Sequence, residues 1–342
     1  MKLNLELTKP QQEISRIVQF IQQVFANQGF DKAVIGVSGG IDSALALTLL
    51  TQAVGPNQVY PVFMPYGEQS VADSHLICQH NQIPPDQWQL VNIKPLVDRA
   101  AEELFVQGAE VAGGRYEQVL VSQKTEIVTD QRAGGGLDQQ ANIVPDQKFE
   151  VMVDQEVGSQ KANKTRSKKN KAKKNKVVAG QATNQQPIRL GNIMARIRMI
   201  VLYDLAKKLT ALVCGTENKS ENMLGYFTRY GDEGCDLDPI VHLYKTQIRQ
   251  LARNLQLPEL FLTKPPSAGL WRGQTDEQEL GYEYKQADMV LAALDNPEIQ
   301  LSDLDLPQQL VTAVQKQVQK NQFKHQVPYK ISQEKSAGLY QK

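Results

Sequence analysis

Cysteine is scarce in this chain. Three residues in 342, Cys78, Cys214 and Cys235, lie far apart and form no Cys-x-x-Cys pair. That spacing supports neither a disulfide framework nor a zinc site, and it fits a reducing, cytoplasmic setting. Long apolar runs are also missing. None approaches the roughly 20 residues that a membrane-spanning helix needs. The opening stretch MKLNLELTKPQQE lacks the apolar core of a secretion signal. Net charge is close to zero, at +1, so no class of partner is favoured globally. No internal repeat is found.

Against those absences one stretch stands out. An apolar run, Ala33–Val37, reads as a buried strand, and it leads into Ser38-Gly39-Gly40-Ile41-Asp42-Ser43 and then into the helical pattern Ala44–Leu50. Small residues let backbone N–H groups and hydroxyls close on an anion, and the helix that follows adds its positive end. This is a phosphate cradle without the Walker lysine, and an Asp sits inside it. Asp42 on its own could simply cap the helix. Beside phosphate, however, a carboxylate needs a divalent cation between the two charges. The loop therefore predicts a nucleotide plus Mg²⁺.

The surrounding pattern alternates helices and strands. Glu13–Ala26 carries its apolar residues at helical spacing. Lys32–Val37, Gln58–Met64 and Trp88–Ile93 read as buried strands, with helices at Ser43–Val54 and Val71–Asn81 between them. Alternation of this kind predicts a doubly wound parallel α/β sheet with helices on both faces. Ligands bind such sheets at the carboxyl ends of the strands. Ser38 and the Met64–Gly67 turn both stand at such ends.

From about residue 107 to 186 the pattern fails. This stretch is rich in Gln, Lys, Asn and Gly. Residues 119–128 and 149–157 alternate like strands of a hairpin, whereas Lys164–Lys176 packs eight basic residues with no acid. Its low apolar content predicts an insertion, disordered in part. The ordered chain, 1–106 with 187–330, then reads as one domain, followed by a tail at 331–342. Within its second part Asn192–Lys208 is helical, Ala211–Cys214 is a strand, and Asp236–Val241 is a candidate short strand. Thr246–Leu255, Asp276–Leu294 and Pro307–Asn321 read as helices, with a loop at Leu262–Gln274.

Further polar residues gather after Cys214. Gly215-Thr216-Glu217-Asn218-Lys219-Ser220-Glu221 starts where a strand ends, on the same sheet edge as the phosphate cradle. Glu221 is a candidate second ligand for the metal, although the string also suits a helix cap. Gly225–Asp236 mixes aromatics, glycines and acids, and Asp232 is its candidate for handling an incoming nucleophile. Lys245 and Ser267 could offset charge on a departing phosphate.

Taken together these motifs resemble the ammonia-using NAD synthetases. The cradle resembles the loop of the N-type ATP pyrophosphatases, which several enzyme families share. Gly215–Ile240, Lys245–Ala252 and Lys264–Asp288 resemble NAD synthetases along nearly their whole length. The resemblance spans about residues 10–98 and 187–330, and it implies an adenine-nucleotide α-hydrolase-like fold. It implies that Ser38, Gly39, Gly40, Asp42 and Ser43 hold the phosphates of ATP, with Thr216, Lys245 and Ser267 on the same side. Asp42 and Glu221 would hold Mg²⁺. Asp232 would serve ammonia, and Asn192, Arg196, Arg198, Tyr226, Phe227 and Lys324 would meet deamido-NAD across a homodimer interface. The implied reaction transfers AMP to the carboxylate of deamido-NAD, releases pyrophosphate, and lets ammonia displace AMP to give NAD. No covalent enzyme intermediate is required, which leaves the cysteines structural.

The chain departs from that pattern in places. Phe323-Lys324-His325-Gln326-Val327-Pro328 stands where the family commonly has His-Lys-Arg-x-x-Pro, and Phe63 stands where some members place an Arg. The insertion is longer than usual. No glutaminase domain is read ahead of the cradle, so ammonia is expected from solution or from a separate glutaminase. Two rival readings stay open: another adenylating amidotransferase built on the same loop, and an RNA-associated protein acting through Lys164–Lys176. The basic run has no interleaved aromatic residues to stack on bases, so nucleic acid is not the expected partner.

Overall fold

Short, nearly continuous apolar runs decide the architecture, because strands of a parallel sheet are buried on both faces. The computed structural model describes residues 3–106, 186–267, 269, 274–325 and 328–329. Helix α1 (Pro10–Gln28) leads into β1 (Lys32–Gly36), α2 (Ile41–Val54), β2 (Val59–Phe63), α3 (Ala72–His80), β3 (Gln89–Leu90) and α4 (Lys94–Val106). After residue 185 come α5 (Gln186–Leu209), β4 (Ala211–Cys214), α6 (Lys219–Leu224), α7 (Lys245–Asn254), α8 (Glu259–Thr263), α9 (Asp276–Leu280), α10 (Tyr284–Asp295) and α11 (Gln308–Asn321). The strands form one sheet in the order β3-β2-β1-β4, and every pairing is parallel.

Period-two alternation gives the sheet two apolar faces. Ala33, Ile35, Phe63 and Leu212 point into a core shared with α1, α2 and α7. Val34, Val62, Ala211 and Val213 point the other way, towards α5. Helix α2 is buried almost all round, as its largely apolar sequence requires, and Thr48 and Thr51 satisfy their hydroxyls on the carbonyls of Ala44 and Leu47, each at 2.8 Å. A third core forms among α6, α10 and α11. Among the described residues no helix is long and apolar enough to cross a membrane.

Several expected elements come out differently. Only Gln89–Leu90 pairs as β3, because this is the sheet edge and Leu90 is 64% exposed. Asp236–Val241 forms no strand. It offers a single bridge, Leu237 to Cys214, before Pro239 removes the next donor. The helix expected over Asp276–Leu294 breaks in two at Gly281, which adopts φ +82°. Helix α5 starts at Gln186, six residues ahead of the expected Asn192. Helices α4 and α8 were not anticipated. The hairpin read over 119–128 and 149–157, the basic run and the 331–342 tail lie outside the described residues.

Gly225 closes α6 in the left-handed region at φ +63°, and a Cβ there would sit 2.3 Å from Cβ of Asn321 on α11. The Asn321 side chain in turn donates to the Leu224 carbonyl at 2.9 Å. Gly225→Ala therefore combines backbone strain with overpacking. It should lower stability by about 2–4 kcal/mol in urea denaturation, and an unchanged midpoint would mean that this helix contact is not formed.

Candidate active site

β1 is the point where the sheet changes direction: β2 and β3 lie to one side of it and β4 to the other. A crevice opens at the carboxyl ends of such neighbouring strands. Here it is a cavity of about 560 Å³. The cradle forms its floor. Ser43 Oγ donates to the Gly40 carbonyl at 3.1 Å, receives the Ser38 N–H at 3.3 Å and lies 3.1 Å from Ser38 Oγ. Gly39 turns at φ +73°, and a Cβ on it would meet Asp73 Cβ at 3.0 Å. Glycine is thus demanded twice, by backbone angle and by the close approach of α3. Ser74 on α3 ties the same loop down through the Val37 carbonyl at 2.9 Å.

The two carboxylates expected to converge do so, with a lysine between them. Asp42, in the first turn of α2, and Glu221, on α6, approach Lys245 Nζ at 2.6 and 2.9 Å. The Lys245 side chain is 2% exposed. Asn218 braces the group by donating to Asp42 Oδ1 at 2.9 Å, while its own Oδ1 caps α6 on the Glu221 N–H at 3.0 Å. The capping reading of this string is met, and the same cap holds Glu221 beside Asp42 and Lys245. Burial disfavours charge on Lys245, yet Asp42 and Glu221 outweigh it and hold the ammonium above the usual lysine range. Burial likewise raises Glu221, with Lys245 pulling the other way.

Thr216, Ser267, Asn192, Arg198, Tyr226, Phe227, Asp232 and Lys324 all face the cavity. Asn192 Oδ1 accepts from Thr228 Oγ1 at 3.0 Å, and Tyr226 donates to Glu279 at 2.8 Å. Arg198 reaches the Met64 carbonyl at 3.4 Å. Arg196 does not line the cavity, and its Nε donates to the Arg229 carbonyl at 3.2 Å. Lys324 binds backbone, donating to the carbonyls of Gly225 and Phe227 at 2.6 and 2.7 Å. Asp232 accepts the Thr228 N–H at 2.9 Å; its carboxyl is open to the cavity, yet the protein packed around it raises it, while the Thr228 N–H, Lys324 and Arg198 oppose the shift.

Three contributions escaped the sequence reading. Lys264 donates to the Gly39 carbonyl at 2.9 Å and to Asp73 at 2.6 Å, joining the Ser267 loop to the cradle. Its position three residues before Ser267 was the available signal. The Tyr284 ring lies 5.0 Å from Lys245 Nζ. Behind the cavity wall, Glu217 Oε1 and Asp238 Oδ1 are fully buried without a hydrogen-bond partner. Burial, with Asp238, Glu221 and Asp232 adding to it, pushes Glu217 up to about 9. Burial pushes Asp238 up to about 7.

Glu217 makes a signed prediction. Its folded form keeps a proton that the unfolded chain releases near 4.5, so stability falls as pH rises from there towards about 9. Glu217→Gln removes that loss. The melting temperature of the variant should gain on the natural chain steadily across this window, and a constant difference would contradict the buried, protonated state.

A family model described as NAD synthase matches residues 13–117 and 143–328. The NH(3)-dependent NAD(+) synthetase of Pyrococcus furiosus is 31% identical over 320 residues, 92% of each chain. The Fusobacterium nucleatum protein of the same name is 35% identical over 293 residues, 86% of this chain and 82% of its own. Among solved structures, an NH3-dependent NAD synthetase from Campylobacter jejuni gives a TM-score of 0.61 at 24% identity, over 95% of this chain and 100% of that one. An NMN synthetase from Francisella tularensis gives 0.61 at 21% identity, over 94% and 98%. Likenesses at this identity speak for the fold alone. The family match runs through the cradle, both carboxylates and Lys245, and the chain belongs to the NAD synthase family.

Proposed function

We propose that this chain makes NAD by ATP-dependent amidation of deamido-NAD with ammonia, releasing AMP and pyrophosphate. One observation carries the reading: two carboxylates from different strand tips converge beside a phosphate cradle, within a chain that belongs to this family. The residues suit a divalent cation. Asp42 and Glu221 are hard oxygen donors, they already hold one cation, and they outnumber it in charge. Asp42 and Glu221 would hold Mg²⁺, which offsets the charge of the phosphates.

A carboxylate is a poor acyl acceptor because its oxygens do not leave. Attack of the nicotinate carboxylate on the α-phosphorus makes an acyl-adenylate and frees pyrophosphate. Ser38, Gly39, Gly40 and Ser43 grip the departing group, and Thr216, Lys245 and Ser267 meet it from the facing wall. Ammonia then attacks the acyl carbon and AMP departs. At neutral pH the nitrogen arrives largely as ammonium. Asp232, facing the cavity with a raised carboxyl, is suited to bind the cation and take its proton. Asn192, Arg198, Tyr226 and Phe227 recognise deamido-NAD. Lys324 supports that wall through its carbonyls, and Arg196 acts from outside the cavity by fixing the Arg229 turn.

A homodimer completes the reading. Leu96 and Leu104 on α4, and Ile188 and Ile200 on the adjoining α5, are each more than half exposed, and Ile188 also borders the cavity. A second copy on this face would cover apolar surface and close the dinucleotide site. The three free cysteines suit a reducing, cytoplasmic location. Residues 1–106 and 187–330 act as one catalytic domain, with 107–186 as an accessory insertion and 331–342 as a tail.

The test is purified protein with ATP, Mg²⁺ and deamido-NAD, supplied with either NH₄⁺ or glutamine. NAD, AMP and pyrophosphate should form in equal amounts with NH₄⁺, with little product from glutamine. Asp42→Ala and Glu221→Ala should each lower turnover by at least about 10²-fold. Pyrophosphate release independent of deamido-NAD, or triggered better by another carboxylate, would favour the rival amidotransferase reading.

A further inference from the structure

Lys245 does more than face a phosphate. Its ammonium lies 2.6 Å from Asp42 and 2.9 Å from Glu221, the two groups that the proposed function gives to the metal. The side chain is 2% exposed. Its backbone is pinned as well. The Lys245 N–H donates to Ser220 Oγ at 2.8 Å, and Ser220 in turn binds Asp288. The Tyr284 ring, 5.0 Å from Nζ, backs the ammonium with an aromatic face. Lys245 is thus held at both ends, and its ammonium stands where a shared cation would stand.

Charge balance then has consequences. Asp42, Glu221 and the ammonium leave one net negative charge, and Asp276 on the same cavity wall adds to it, but a divalent ion would have to pass a lysine that already satisfies both carboxylates. Adding Mg²⁺ while Lys245 stays would set the ion against an ammonium that lies 2.6 and 2.9 Å from the same carboxylate oxygens. Phosphate oxygens change the balance, because they give the ammonium another anion to join and supply further ligands to the metal.

We propose that Lys245 is a built-in counter-ion which occupies the cation position between Asp42 and Glu221, so that a divalent ion enters only when a nucleotide triphosphate draws the lysine away. This inference rests on the reading of Asp42 and Glu221 as the metal-holding pair. It adds an order to binding: metal and nucleotide arrive together, and the free protein is indifferent to the metal. Lys245 thereby keeps the carboxylates apart from adventitious cations and delivers its own charge to the phosphates in the same movement.

Mn²⁺ without nucleotide is the probe, followed by the paramagnetic signal of the free ion. The natural chain should bind it weakly. Lys245→Met should bind it at least about 10-fold more tightly, Lys245→Arg as weakly as the natural chain, and Lys245→Met combined with Glu221→Gln should lose the gain. If Lys245→Met folds poorly, Mn²⁺ should raise its melting temperature while leaving that of the natural chain unmoved. Equal nucleotide-independent affinity in the natural chain and Lys245→Met would overturn the displacement and leave the metal pair standing. Absence of Mn²⁺ binding from every form, with ATP as well as without it, would overturn both.

Discussion

Asp42 and Lys245 are 203 residues apart in sequence, yet their charges meet at 2.6 Å, and Glu221 closes the group from α6. The Lys245 side chain is almost wholly buried there, so each charge depends on the others. Removing one partner from a buried ion pair typically costs about 3–5 kcal/mol, because the remaining charge is stranded. The starts of α2, α6 and α7 must therefore hold their relative positions closely. Asn218 braces two of these helices, Ser220 a different two, and Asp288 on α10 anchors the Lys245 end of α7. The charge cluster sets where the helices begin, and the helices in turn set the shape of the cavity.

The sheet supplies the frame for this arrangement. With β1 between β2 and β4, two loops leave neighbouring strand tips in opposite directions and a cleft must open between them. The cradle occupies one lip and the Gly215–Glu221 string the other. Lys264 ties the cradle to the Ser267 loop, and Lys324 ties α11 to the aromatic wall at Tyr226 and Phe227. The departures at Phe323 and His325 acquire a physical sense here. Arg229 lies 5.2 Å from the Phe323 ring, and the His325 ring meets Phe227 edge-on at 5.5 Å. Aromatic packing buttresses the loop from these two positions.

Much of the fold was legible because its strands are short, apolar and preceded or followed by clear helices. Ala211–Cys214 was read to the residue, and the cradle stood out from its own composition. The errors have identifiable causes. Gly281 sits inside a helical pattern, and only its left-handed angle reveals the break. Leu90 reads as core from sequence but lies on an exposed edge. The convergence of Asp42 and Glu221 was expected from chemistry, since carboxylates near phosphate imply a cation. Lys245 between them was not, because spacing along a chain carries no information about which charges meet. Nor could it reveal that Arg196 turns to the Arg229 carbonyl, or that Glu217 and Asp238 each bury one carboxylate oxygen without a partner. Those facts depend on packing between segments distant in sequence.

The central claim is that Asp42 and Glu221 act together on one cation. A double-mutant cycle measures this directly, using Asp42→Asn, Glu221→Gln and the pair, with Mn²⁺ affinity in the presence of a non-hydrolysable ATP analogue as the readout. A shared ion predicts strong non-additivity: either substitution alone should remove most of the affinity, and the second should add little. Losses that simply sum would mean that the two carboxylates serve separate ions or none, and the account of the site would be wrong.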